Sequence, residues 1–196
     1  ASSGQTMLSS RISAAYEEGL SRVQGHGANL LARGEPGSGL NSPAPVLFTA
    51  STQDFIDAPA LQDEVFGAAA VIVRYADLDE LRTCLASLHG QLTATIHFEP
   101  SEVETAQALL PLLEERVGRL IANSWPTGVE VVDAMVHGGP YPSTSDPRST
   151  SVGTLAVQRF QRPVCYQGFP QAMLPTAVQD ENAWGLPRRV DGVPLT

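Results

Sequence analysis

The sequence predicts an α/β fold, a three-layer and mainly parallel sheet, on three observations. Strand-type and helix-type segments alternate from residue 68 to residue 122, after an earlier strand at 46–50. The strands are near-continuous apolar runs, as expected where both faces are covered. Helix boundaries carry their own punctuation, with Asp77 placed to cap one helix and Ser101 with Glu104 forming a capping box for the next.

Taken in order, Met7, Leu8, Ile12, Ala15, Gly19, Leu20 and Val23 recur near helical spacing, which predicts a helix over 7–24 that stops at Gly25-His26-Gly27. A short strand at 28–31 and a turn-rich loop over 34–45 follow, then a buried-type strand at 46–50. The run Ala68 to Tyr75 is the strongest strand in the chain. Asp77 opens a helix through Leu88 that ends at His89-Gly90. Leu92 to Phe98 is a strand, 101–117 a helix bent or loosened by Pro111 and closed by Gly118, and Arg119 to Ala122 a strand.

From Gly118 to Gly153 the chain then keeps no steady period beyond that strand, yet it carries Trp125, Met135, His137 and Tyr141 among Gly, Pro, Ser and Thr. Irregular connections longer than about 12–15 residues are uncommon in compact domains unless they serve a function. Ser151 to Phe160 reads as helical. Arg162 to Tyr166 reads as an edge or arm strand, because Pro163 cannot donate to a ladder. The tail to Thr196 is expected to wrap a surface.

The 196 residues suit one domain with an arm, and the composition is that of a soluble globular chain. Net charge is −9 and every basic side chain is Arg. The acidic balance argues against nucleic acid and anionic membranes as partners. Without Lys the chain supplies no Schiff base and no P-loop lysine. The two Cys lack metal or disulfide spacing. No signal-peptide pattern and no membrane-length apolar run are present, so a cytoplasmic location is expected. The His residues lack ligand spacing, and no Gly-x-Ser-x-Gly elbow supports a hydrolase triad around Ser143 and His137.

Glu64-Val65-Phe66-Gly67 precedes the strongest strand. A carboxylate there can accept hydrogen bonds from sugar hydroxyls, and an aromatic two residues on can pack a flat ring. The alternative is a solvated loop Glu and a core Phe.

These four residues, with Asn123, Gly138-Gly139 and Gly153 in that order, resemble the later catalytic segment of the aldehyde dehydrogenases. The runs NSWPTGVEV, AMVHGGPYPSTSD and SVGTLAVQRFQRPVCYQ are similar to the branch that oxidises 2,5-dioxopentanoate (α-ketoglutarate semialdehyde) to 2-oxoglutarate. The resemblance implies that Glu64 and Phe66 bind the nicotinamide end of NAD or NADP. It implies that Asn123, Trp125, Thr127 and His137 line an aldehyde pocket. Arg148 and His137 are candidate anchors for an acidic substrate. Ala68 stands where the family usually has Pro, and 140–145 replaces its Lys-x-Ser-Gly.

The family's nucleophilic Cys context and the Rossmann fingerprint are missing. No catalytic residue is therefore expected in this chain, with Cys84 and Cys165 structural, and the isolated chain is expected to be inactive. The division expected is 1–150 as the later part of the catalytic domain and 151–196 as oligomerisation arm and tail. A homo-oligomer is expected through Arg162–Tyr166. The rival reading is a non-catalytic interaction module that kept the fold and lost the chemistry.

Overall fold

The computed structural model describes residues 3–126 and 128–195. Two compact units emerge, Ala1–Arg159 and Phe160–Thr196.

In the first unit, helix α1 spans Ser10–Gly25, with the Ser9 hydroxyl accepting from the Ile12 amide. That cap starts the helix three residues later than the apolar pattern predicts; Leu8 points into solvent, 93% exposed. Tyr16, Gly19, Leu20 and Val23 form the buried stripe of α1. Strand β1 (Asn29–Arg33) runs antiparallel to β2 (Val46–Ser51), and β2 pairs in parallel with β3 (Ala69–Arg74). Between the last two lies α2 (Thr52–Asp57), capped by Ser51. This helix is too short for a periodicity to register, and the sequence reading misses it.

Asp77 caps α3 (Leu78–Ser87) as expected, its carboxylate accepting from the Asp79 and Glu80 amides at 3.0 and 2.9 Å. Asp77→Ala is expected to cost about 1 kcal/mol, read as a lower urea midpoint with unchanged slope. Strand β4 (Gln91–Ile96) and β5 (Val117–Ala122) pair in parallel, joined through α4 (Val103–Glu114).

Four expectations are corrected here. The capping box is Glu99 with Glu102 around a 3-10 turn that precedes α4, two residues upstream of Ser101 and Glu104, because Pro100 fits the first helical position. Gly118 lies inside β5 rather than closing α4. Residues Thr154–Phe160 are 3-10, not α-helical. The β1–β2–β3 and β4–β5 ladders are separate rather than one hydrogen-bonded sheet.

The core joins Tyr16, Leu20 and Val23 of α1 to Val46, Phe48 and Ala50 of β2, with Phe55, Leu61 and Cys84. Strand β3 gives Ala69, Val71 and Val73 to this core, and its other face is exposed, Ile72 to 41%. No helix among the described residues is long and apolar enough to cross a membrane.

In the second unit, residues 161–167 form no strand within the single chain. A hairpin of β6 (Arg188–Val190) and β7 (Val193–Leu195) closes the tail through Asp191-Gly192. Both turn residues have positive φ, 49° and 80°, the pattern that Asp-Gly turns favour. None of its described residues is buried.

Candidate functional site

The Glu64 segment is built by the residues around it. Val65 turns inward and packs on Gly19 of α1, where even one added carbon would come within 2.9 Å of Val65 Cγ1. The alternation then turns Glu64 and Phe66 outward; Phe66 is 67% exposed. Gly67 has φ +156°, and a Cβ there would strike the Tyr16 ring and lie 2.6 Å from Met7 Cε. Only glycine satisfies both demands. The Tyr16 hydroxyl donates to the carbonyls of Ala44 (2.9 Å) and Ala68 (3.0 Å), tying the end of this segment to the entry of β2. Burial, aided by the charge of Glu17, raises the Tyr16 pKa, so the phenol remains a donor.

A second group of glycines seats the long segment. Gly138 and Gly139 are buried. A Cβ on Gly139 would meet the Gln91 carbonyl, one on Gly118 the Gly138 carbonyl, and one on Gly90 the Pro140 carbonyl. The backbone of 138–141 therefore lies directly on the starts of β4 and β5. This seating brings Pro142 and Ser143 to an open cavity of about 860 Å³ that Glu64, Phe66, His89 and Gln91 also line. A carboxylate, an exposed aromatic and two polar side chains around one cavity suit a ligand with a flat ring and sugar hydroxyls.

The other expected site residues lie elsewhere. Asn123 has φ +50° at the end of β5, and its side chain is occupied: Oδ1 accepts from the Phe98 amide at 2.8 Å and Nδ2 donates to the Phe98 carbonyl at 3.0 Å. Trp125 is 75% exposed and stands against His97, ring centroids 5.5 Å apart. Thr127 lies outside the described residues. His137 is half-buried, its amide donating to Thr150 Oγ1 and its carbonyl accepting from Ser151. None of Asn123, Trp125 and His137 lines the cavity of Glu64 and Phe66. Arg148, a candidate anchor, pairs with Asp146, whose carboxyl is held below its usual range by hydrogen bonds from Arg148.

Sequence reasoning missed Tyr16, Pro142, Ser143 and His97. Tyr16 could have been found, since it falls four residues after Ile12 and four before Leu20 on the apolar stripe. Pro142 and Ser143 are placed by a loop path that no periodicity encodes, whereas His97 directly follows β4.

Cys84 is buried in the core, and burial together with Glu80 raises its pKa; Cys165 is exposed. A buried, protonated thiol is a poor nucleophile. Iodoacetamide is expected to label Cys165 in the native chain and Cys84 only after unfolding, as peptide mapping would show.

No family model matches the chain. The alpha-ketoglutaric semialdehyde dehydrogenase 2 of Azospirillum brasilense is 46% identical over 187 residues, 95% of this chain and 36% of that protein. The alpha-ketoglutaric semialdehyde dehydrogenase of Acinetobacter baylyi is 42% identical over 191 residues, 96% of this chain and again 36% of that protein. The chain thus spans about a third of the length of the curated relatives it matches, in their C-terminal portion. Among solved structures, a betaine aldehyde dehydrogenase from Staphylococcus aureus, in complex with NAD+, aligns at TM-score 0.60 with 16% identity, over 79% of this chain and 30% of that one. At that identity the likeness speaks for the fold alone.

Proposed function

From the premise that this chain belongs to the aldehyde dehydrogenase superfamily, of which it spans a part, we propose that it is the C-terminal catalytic-domain portion of an NAD(P)-dependent semialdehyde dehydrogenase. The substrate proposed is 2,5-dioxopentanoate, oxidised to 2-oxoglutarate. The observation that carries this reading is the likeness, over nearly the full length of the chain, to two semialdehyde dehydrogenases. The cavity of Glu64 and Phe66 fits the nicotinamide end of the cofactor.

When bound, the nicotinamide supplies a hydride acceptor. Glu64 would accept hydrogen bonds from the adjoining ribose hydroxyls, and Phe66 would pack beside the ring. Together they would hold the cofactor's reactive end in place. Trp125 and His137 would stand along the path by which the aldehyde enters. The thiolate that attacks the aldehyde comes from a part of the full-length protein outside this chain. The exposed face of β3 is covered by that same remainder, completing a three-layer sheet. The segment Arg162–Tyr166 forms a strand by pairing with a neighbouring subunit, making a homo-oligomer.

Purified full-length protein is expected to reduce NAD(P) when 2,5-dioxopentanoate is added, and the isolated chain to give no aldehyde-dependent signal. Turnover by the isolated chain, or none by the full-length protein, would overturn the reading. Deleting residues 161–196 from the full-length protein is expected to lower its mass in sedimentation analysis.

A further inference from the structure

The end of β5 holds a side chain whose hydrogen bonds all run to one residue. Both functional groups of the Asn123 amide are spent on the backbone of Phe98, and the Asn123 amide N–H donates to Ile96 at 2.9 Å, extending the β4–β5 ladder by one step. His97 lies between those two attachment points, since Ile96 and Phe98 flank it. Trp125 lies two residues beyond Asn123, after a backbone turn made with φ +50°, a conformation that Asn tolerates better than most residues. One residue thus sets both partners of the His97–Trp125 ring contact. The strands are parallel, so the contact falls at their shared carboxyl edge, where open α/β sheets receive ligands.

We propose that Asn123 is a positioning residue and not a substrate ligand: its clasp on Phe98 holds His97 against Trp125, and this ring pair forms the wall at the aldehyde entrance. The proposal rests on the functional reading above for the word aldehyde; the clasp itself stands on geometry. It adds His97 to the wall and takes Asn123 out of direct contact.

The variant that isolates the clasp is Asn123→Gly in the full-length protein, because glycine adopts φ +50° without strain and removes only the side chain. Asn123→Asp keeps the acceptor for the Phe98 amide but turns an oxygen toward the Phe98 carbonyl. Two readouts are taken. Hydrogen exchange in the 92–99 peptide, followed by mass spectrometry, is expected to speed up by about tenfold at one amide in Asn123→Gly. In steady-state kinetics the KM for aldehyde is expected to rise about tenfold, while the KM for NAD(P) is unchanged because Glu64 and Phe66 line a separate cavity. Trp125→Ala is expected to raise the aldehyde KM without changing exchange at Phe98. Wild-type exchange in Asn123→Gly would overturn the clasp. Faster exchange with an unchanged aldehyde KM would overturn the place of the ring pair at the entrance. Should the wild-type full-length protein not oxidise the aldehyde at all, the functional reading fails, and the exchange experiment still decides on the clasp.

Discussion

Tyr16→Ala is expected to lower folding stability by about 3–5 kcal/mol, enough to unfold a domain of ordinary stability. The side chain is 1% exposed and sits in the core with Leu20, Val23 and Phe48. Tyr16→Phe keeps the ring and removes the hydroxyl. The carbonyls of Ala44 and Ala68 then lose their shared donor, at a cost of about 1–3 kcal/mol. The two variants separate packing from tethering.

A pH signature accompanies this. The Tyr16 pKa is raised in the folded chain, so folding favours the neutral phenol. The stability it contributes is fully present below the unfolded tyrosine pKa of about 10 and is lost as pH rises through the folded value. Cys84 acts in the same direction from a lower starting value, its folded pKa also being raised. Urea midpoints measured from pH 8 to 11 are expected to fall for the wild type and to fall less steeply for Tyr16→Phe. Equal slopes would mean that the hydroxyl is not held as described.

Gly139→Ala carries the second large effect, about 2–4 kcal/mol with release of the loop. Two penalties add: φ +155° lies in a region that essentially only glycine occupies, and the new methyl would strike the Gln91 carbonyl with Ser143 Oγ 2.7 Å away. Gly128→Ala is the control. Its φ is +83°, but nothing lies within 4 Å of the added carbon, so backbone strain alone applies, about 1 kcal/mol. Limited proteolysis is expected to cut the 140–152 segment readily in Gly139→Ala and at the wild-type rate in Gly128→Ala. Because this junction carries Pro142 and Ser143 to the cavity, the same variant should weaken cofactor binding in the full-length protein.

What the sequence makes legible follows from how local the cause is. Asp77 caps its helix through the next three residues, so the cap can be read directly and is found in place. The apolar runs of β2, β3, β4 and β5 are likewise local, and those strands form. The capping box lies two residues before the expected one because Ser101-x-x-Glu104 and Glu99-x-x-Glu102 both fit the spacing; Pro100 decides between them, as residue one of a 3-10 turn. Among the described residues, Arg162–Tyr166 pairs with no strand of its own chain.

At the site, Glu64 and Phe66 are legible because Val65 and Gly67 fix which way their neighbours face. Asn123 is legible as a polar residue at a strand end, and its side chain is bonded to the backbone of Phe98. A polar residue at a strand end reads equally as ligand or as clasp, and only the position of Phe98, 25 residues away, distinguishes them.

The account is tested most directly by the initial rate of NAD(P)H formation from 2,5-dioxopentanoate in the full-length protein carrying Glu64→Gln. Losing the carboxylate proposed to orient the ribose is predicted to lower that rate by about 100-fold, with Cys reactivity and oligomeric mass unchanged. A rate equal to that of the wild type would contradict the placement of the nicotinamide at Glu64 and Phe66.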